Sequence, residues 1–196
     1  MKTSKTPALL QPDHGRRRFL GGLAASVTGA VLLPAAPNAI ASVASVGRQS
    51  GKTLSFYHTH TGDKLNIDYH DGTDYISDAL MEINHYLRDF RTGESYPIDS
   101  ALLDTLHELK TLSGHSSTFE VISGYRSPKT NNSLRSKSNG VAKRSLHMQG
   151  KAIDVRLTGF DTRQLHKAAK KLARGGVGYY QKSDFIHVDT GRVRYW

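Results

Sequence analysis

The sequence predicts an α+β fold, with a small, mainly antiparallel sheet and amphipathic helices packed against it. Early in the folded region, apolar residues alternate with period two and then recur at spacings of three and four; later, short β-branched segments return with one helix among them. A length of 196 residues suits one domain, and 37 % hydrophobic with 22 % charged residues is an ordinary globular composition. These values argue against a disordered chain, a repeat array and a multi-pass membrane protein. With no Cys and ten His, there is no disulfide framework or thiolate chemistry, and any metal must be held by His, Asp or Glu.

Residues 1–41 read as a signal peptide. Arg16-Arg17-Arg18-Phe19-Leu20 leads into an apolar run ending at Leu33 that spans about 15 residues, short of the ~20 a membrane-spanning helix needs. Ala39-Ile40-Ala41 then offers a cleavage site after Ala41. A twin arginine followed by Phe-Leu points to export by the twin-arginine machinery, hence to a periplasmic protein with no stable membrane insertion after processing. Five cations and Asp13 lie in this segment, so four units of the formal +10 leave with it and +6 remains. That moderate excess suits an anionic polymer, and outside the cytoplasm this means cell wall rather than nucleic acid. Residues 42–53 read as a Ser- and Gly-containing linker, and 54–196 as the single folded domain.

The elements follow in order. Leu54, Phe56, His58 and His60, the turn Thr61-Gly62-Asp63, and Leu65, Ile67 and Tyr69 predict a β-hairpin. Thr73 is the expected cap of a helix carrying Ile76, Leu80, Ile83, Leu87 and Phe90 on one stripe. Asp99 or Ser100 starts a second helix with Leu102, Leu103, Leu106 and Leu109 inward, stopped by Gly114. Thr118–Ile122 is a strand that ends in the loop Ser123–Pro128, and 131–137 form one or two helical turns. Lys151–Leu157 is a strand, Asp161 caps a helix to Arg174, and Val177–Tyr180 and Phe185–Thr190 are the last strands, around the turn 181–184.

Ser145-Leu146-His147-Met148-Gln149-Gly150-Lys151-Ala152-Ile153-Asp154 sets an imidazole at a strand entrance and a carboxylate on the strand. On the last strand, period two puts Phe185, His187 and Asp189 on one face. His147, Asp154 and His187 would make a three-ligand site with an open fourth position, as in catalytic zinc centres. Spacing alone leaves open a salt bridge for Asp154 and solvated rings for the histidines. His58 and His60 alternate without an acidic partner at matching spacing and receive no ligand role.

Ser145-x-His147-x-x-Gly150-x-Ala152-x-Asp154, with distal His187 and the preceding Ser123-Gly124-Tyr125-Arg126-Ser127, resembles the D-Ala-D-Ala carboxypeptidase group of zinc peptidases (M15-like), which is related in fold to the lysostaphin-type endopeptidases. Within it, Gly140-Val141-Ala142-Lys143, Gly175–Tyr180 and His187-Val188-Asp189-Thr190-Gly191 look like the YcbK/MepK type of murein endopeptidase. The resemblance implies one Zn2+ per chain on His147, Asp154 and His187, and peptidoglycan stem peptides as substrate. It also implies that Arg126 binds substrate or the developing oxyanion, with Ser123 and Tyr125 beside it. Many relatives place the general base as His two before the distal ligand or Glu three before it. Phe185 and Asp184 stand there, so the base is left between Asp184 and Asp189, the latter able instead to orient His187. Two alternatives keep the fold: a D-Ala-D-Ala carboxypeptidase, and a non-catalytic peptidoglycan-binding module.

Overall fold

The computed structural model describes residues 50–114 and 117–196. The expected signal peptide and all but the end of the linker lie outside the described residues. Strands β1 (Lys52–His58) and β2 (Lys64–His70) form the predicted hairpin. Helices α1 (Ser77–Tyr86) and α2 (Ser100–Leu112) follow, then β3 (Phe119–Ser123) and α3 (Pro128–Lys137). A 3-10 turn over Leu146–Gln149 leads into β4 (Ala152–Leu157), followed by α4 (Thr162–Leu172). The chain continues through β5 (Gly176–Tyr180), β6 (Phe185–Asp189) and β7 (Arg194–Tyr195). The seven strands form one sheet in the order β2-β1-β3-β4-β6-β5-β7. Four neighbouring pairs are antiparallel, while β1/β3 and β5/β7 are parallel. The fold class is therefore mixed α+β with a mostly antiparallel sheet, and the two parallel pairs were not expected.

Local chemistry accounts for the helix starts. Asp99 accepts from the Ala101 amide and Asp161 from the Gln164 amide, the two expected caps. The Thr73 cap is corrected: Asp71 accepts from the Thr73 and Asp74 amides in a tight turn, and α1 begins only after Ile76, with no side-chain cap. Phe90 consequently lies beyond the helix and stacks on His60 at 4.3 Å. The segment read as a loop into a short turn is a full α3, because Ser127 accepts from the Thr130 amide and Pro128 fits the first helical turn.

Leu102, Leu103, Leu106 and Leu109 of α2 and Ile83 of α1 are fully buried with Leu54, Phe56, Phe119, Val121, Ile153 and Val155 of the sheet. Each such side chain contributes about 1.5–3 kcal/mol relative to exposure. This core fixes β4 and β6, and one glycine sets the approach to β4. Gly150 takes a φ of +64°, and a Cβ there would meet the Pro97 carbonyl oxygen at 2.0 Å. Its own carbonyl accepts from the Asp99 amide at 2.9 Å, tying the turn before β4 to the start of α2. Gly150→Ala should therefore destabilise the fold by more than the roughly 1–2 kcal/mol of left-handed backbone alone. Urea denaturation checks this, and a loss below 1 kcal/mol would contradict it.

Candidate functional site

Asp154 on β4 pairs directly with His187 on β6, so their side chains leave the sheet on one face. His147 arrives from the 3-10 turn before β4. Its main-chain carbonyl accepts from the Arg126 amide at 3.2 Å, which binds that turn to the end of β3. Three atoms converge. His147 Nε2 lies 3.2 Å from His187 Nδ1 and 3.3 Å from Asp154 Oδ1, and His187 Nδ1 lies 2.8 Å from the same oxygen. All three residues are buried.

The far side of each ring fixes its tautomer. His147 Nδ1–H donates to the Gly124 carbonyl at 2.7 Å, leaving the Nε2 lone pair inward. His187 Nε2–H donates to Asp189 Oδ2 at 2.9 Å, leaving Nδ1 inward. Two imidazole lone pairs and a carboxylate oxygen thus face one another, an arrangement that requires a cation or a proton between them. Tetrahedral coordination at roughly 2.0–2.1 Å sets neighbouring donors about 3.3 Å apart. The observed triangle and the donor chemistry fit a divalent metal.

Without metal, a proton takes that place. Burial disfavours a charged His187 ring, but the hydrogen bonds to Asp154 and Asp189 outweigh it and push its pKa up to about 9. Burial holds His147 below its ordinary value. Burial would raise both Asp154 and Asp189, yet each lies well below the carboxylate range: Asp154 through the two histidines, Asp189 through His187, Arg194 and the Gly191 amide.

The other expected residues divide. Arg126 borders the cavity; its Nη2 donates to Ser123 Oγ at 3.2 Å and reaches Asp154 Oδ2 at 3.5 Å, while its buried Nε has no protein partner. Ser123 thus holds Arg126. Tyr125 turns into the fold and stacks on Tyr96 at 5.2 Å, away from the residues that line the cavity. Asp189 sits behind His187, receiving Arg194 Nη2 at 2.6 Å and Nη1 at 3.0 Å and the amides of Gly176 and Gly191 at 3.1 and 2.9 Å. Asp184 caps the exposed turn after β5 and comes only within 3.9 Å of Arg156. Among the described residues Asp154 is the one carboxylate lining the cavity, so neither residue expected as base faces it. His58 and His60 join Tyr86 and Phe90 in an aromatic cluster.

The cavity, about 480 Å³, also takes in Ser138, Val141, Arg144, Tyr180, Arg194 and Trp196. The sequence reading passed over Arg194 and Trp196, since a two-residue strand has no periodicity; the available signal was the chain's one Trp beside a Tyr and two Arg. Because the folded His187 value lies above the ordinary 6.5, its protonated ring stabilises the metal-free fold fully below about pH 6.5, and this contribution is lost as pH rises through about 9. NMR titration of the metal-free chain should find His187 near 9, and lower in Asp189→Asn. A value near 6.5 in both would contradict the hydrogen-bond arrangement.

Comparison with known proteins gives the family. The model of the Peptidase_M15_2 family, described as Peptidoglycan L,D-endopeptidase MepK, matches residues 47–196. Proteins named peptidoglycan L,D-endopeptidase MepK from Escherichia coli strain K12 and Shigella flexneri are each 39 % identical over 186 residues, covering 94 % of this chain and 98 % of the relative. A Haemophilus influenzae protein named "Probable peptidoglycan L,D-endopeptidase MepK" is 36 % identical over 187 residues, covering 94 % and 96 %. Matched over nearly its whole folded region, the chain belongs to the peptidoglycan L,D-endopeptidase MepK family of M15 peptidases.

Proposed function

We propose that this chain is an exported, periplasmic zinc peptidase that hydrolyses peptide cross-links of peptidoglycan. The observation that carries the reading is the triangle of His147 Nε2, Asp154 Oδ1 and His187 Nδ1 opening into a cavity, in a chain whose relatives are named for this activity. The twin arginine, the short apolar run and Ala39-Ile40-Ala41 support export. Among the described residues no helix is long and apolar enough to cross a membrane.

His147, Asp154 and His187 would hold one Zn2+ per chain. A zinc ion there supplies Lewis acidity, lowering the pKa of a water and polarising the scissile carbonyl. Gly124 and Asp189 do the aiming: each takes the outward N–H of one histidine, which fixes ring orientation and makes the inward nitrogen a better donor. Asp189 is thereby a positioning residue rather than a base, since its two oxygens receive five hydrogen bonds. Arg126, braced by Ser123 and Asp154, offers a fixed guanidinium to a substrate carboxylate or the developing oxyanion.

Charge supports an anionic substrate. Residues 126–151 carry seven Lys and Arg and no Asp or Glu, and Arg126, Arg144 and Arg194 border the cavity. Diaminopimelate-containing stem peptides present free carboxylates to such a rim. The name shared by the relatives favours an L,D bond, the link between two diaminopimelate residues, over release of terminal D-Ala.

Purified chain should split diaminopimelate–diaminopimelate muropeptide dimers, leave pentapeptide monomers intact, and contain about one zinc. His147→Ala and Asp154→Ala should lose most of the metal while circular dichroism shows a folded protein. Full zinc content in both variants would overturn the ligand assignment. Release of D-Ala from pentapeptides would favour the carboxypeptidase. Intact dimers with wall binding equal in wild type and His187→Ala would favour the binding module.

A further inference from the structure

Tyr180 and Trp196 form a unit beside the His/Asp/His group that the proposed mechanism leaves unused. On β5, Gly178 lies directly opposite His187 and Tyr180 opposite Phe185, so all four face the same side of the sheet. Gly178 leaves room next to His187, and the Trp196 indole occupies it: a Cβ on Gly178 would stand 2.5 Å from that ring. The indole lies 5.3 Å from the His187 ring, and its Nε1–H donates to the Tyr180 hydroxyl at 3.2 Å.

Both partners are held in place. The Tyr179 amide donates to the Trp196 carbonyl at 3.0 Å and the Trp196 amide to the Val177 carbonyl at 3.3 Å, which stitches the tail to β5. Arg194, clasped by Asp189, covers the indole at 5.0 Å. The Tyr180 ring stacks on Phe185 at 4.6 Å, tilted by only 16°.

An indole N–H can only donate, so the Tyr180 oxygen is committed as acceptor and its own proton must point elsewhere. Among the described residues that proton meets no protein acceptor, and Tyr180 borders the same cavity as His147, Asp154 and His187. A phenol at the border of the cavity, its oxygen held by the indole and its proton free to donate, suits an oxygen that becomes negative during the reaction.

We propose that Tyr180 is a catalytic hydrogen-bond donor to the scissile carbonyl oxygen as its charge develops, and that Trp196 is the positioning residue that directs the phenol proton into the cavity. This rests on the peptidase reading above. A preorganised donor of this kind is worth roughly 10²–10³ in kcat. Tyr180→Phe keeps the ring stack and should lower kcat on cross-linked dimers by roughly 10²-fold, with KM and zinc content close to wild type. Trp196→Phe keeps an aromatic ring and loses the Nε1 donor; kcat should fall, and the double variant should be no slower than Tyr180→Phe alone. Calorimetry with a phosphinate pseudopeptide, whose tetrahedral oxygens imitate the reacting centre, should show a parallel loss of affinity in Tyr180→Phe. If the contact only fastened the tail, Tyr180→Phe would lower the Tm and leave kcat unchanged. Wild-type kcat in Tyr180→Phe, with His187→Ala inactive, overturns this assignment and leaves the peptidase reading standing. A double variant with additive losses overturns the role of Trp196. Wild-type chain that leaves every dimer intact overturns the reading and the assignment together.

Discussion

The site depends on one constraint: three buried atoms that all carry lone pairs are held within 3.3 Å of one another. Unrelieved, such an arrangement repels itself, and burial removes the water that would screen it. The protein sustains it by securing each residue from behind. The carbonyl of Gly124 holds His147, Arg126 lies against the free oxygen of Asp154, and Asp189 holds His187. Asp189 is in turn neutralised by Arg194 and two backbone amides. The order of the sheet makes this possible, because β4 and β6 are neighbours in a register that sets Asp154 directly opposite His187.

The same chain of contacts runs outward to the tail. Arg194 bonds Asp189 with its guanidinium and covers the Trp196 indole, so the element that holds Asp189 behind His187 also carries the aromatic wall of the cavity. The closing strand, though two residues long, thus borders the cavity through Arg194. Stability and function are separated spatially: the leucines of α2 and the aliphatic centre of the sheet form the core, while the cavity is rimmed by Arg126, Arg144 and Arg194.

Much of this was legible in the sequence. The hairpin, α2 and α4 announce themselves through alternation, a Leu stripe and Asp caps, all local signals. The His147–Asp154 spacing and the alternation of Phe185, His187 and Asp189 pointed to three residues that the fold does bring together, although family resemblance was needed to prefer a metal site over a salt bridge. What escaped was non-local. The start of α1 depends on Asp71 bonding its own turn in preference to a Thr73 cap. The parallel pairing of β1 with β3 joins residues some sixty positions apart. Trp196 acquires meaning only where Gly178 makes space for it. Asp184 and Asp189 looked equivalent as acids near a ligand, yet one is exposed on a turn and the other is enclosed by donors.

The proposed function requires a single divalent ion shared by His147 Nε2, Asp154 Oδ1 and His187 Nδ1. Anomalous diffraction from zinc-loaded crystals, recorded on both sides of the zinc absorption edge, addresses this directly. One peak roughly 2.0–2.1 Å from those three atoms is the expected result. A peak on other residues, or one bound through His187 Nε2 with Asp189 displaced, would contradict it.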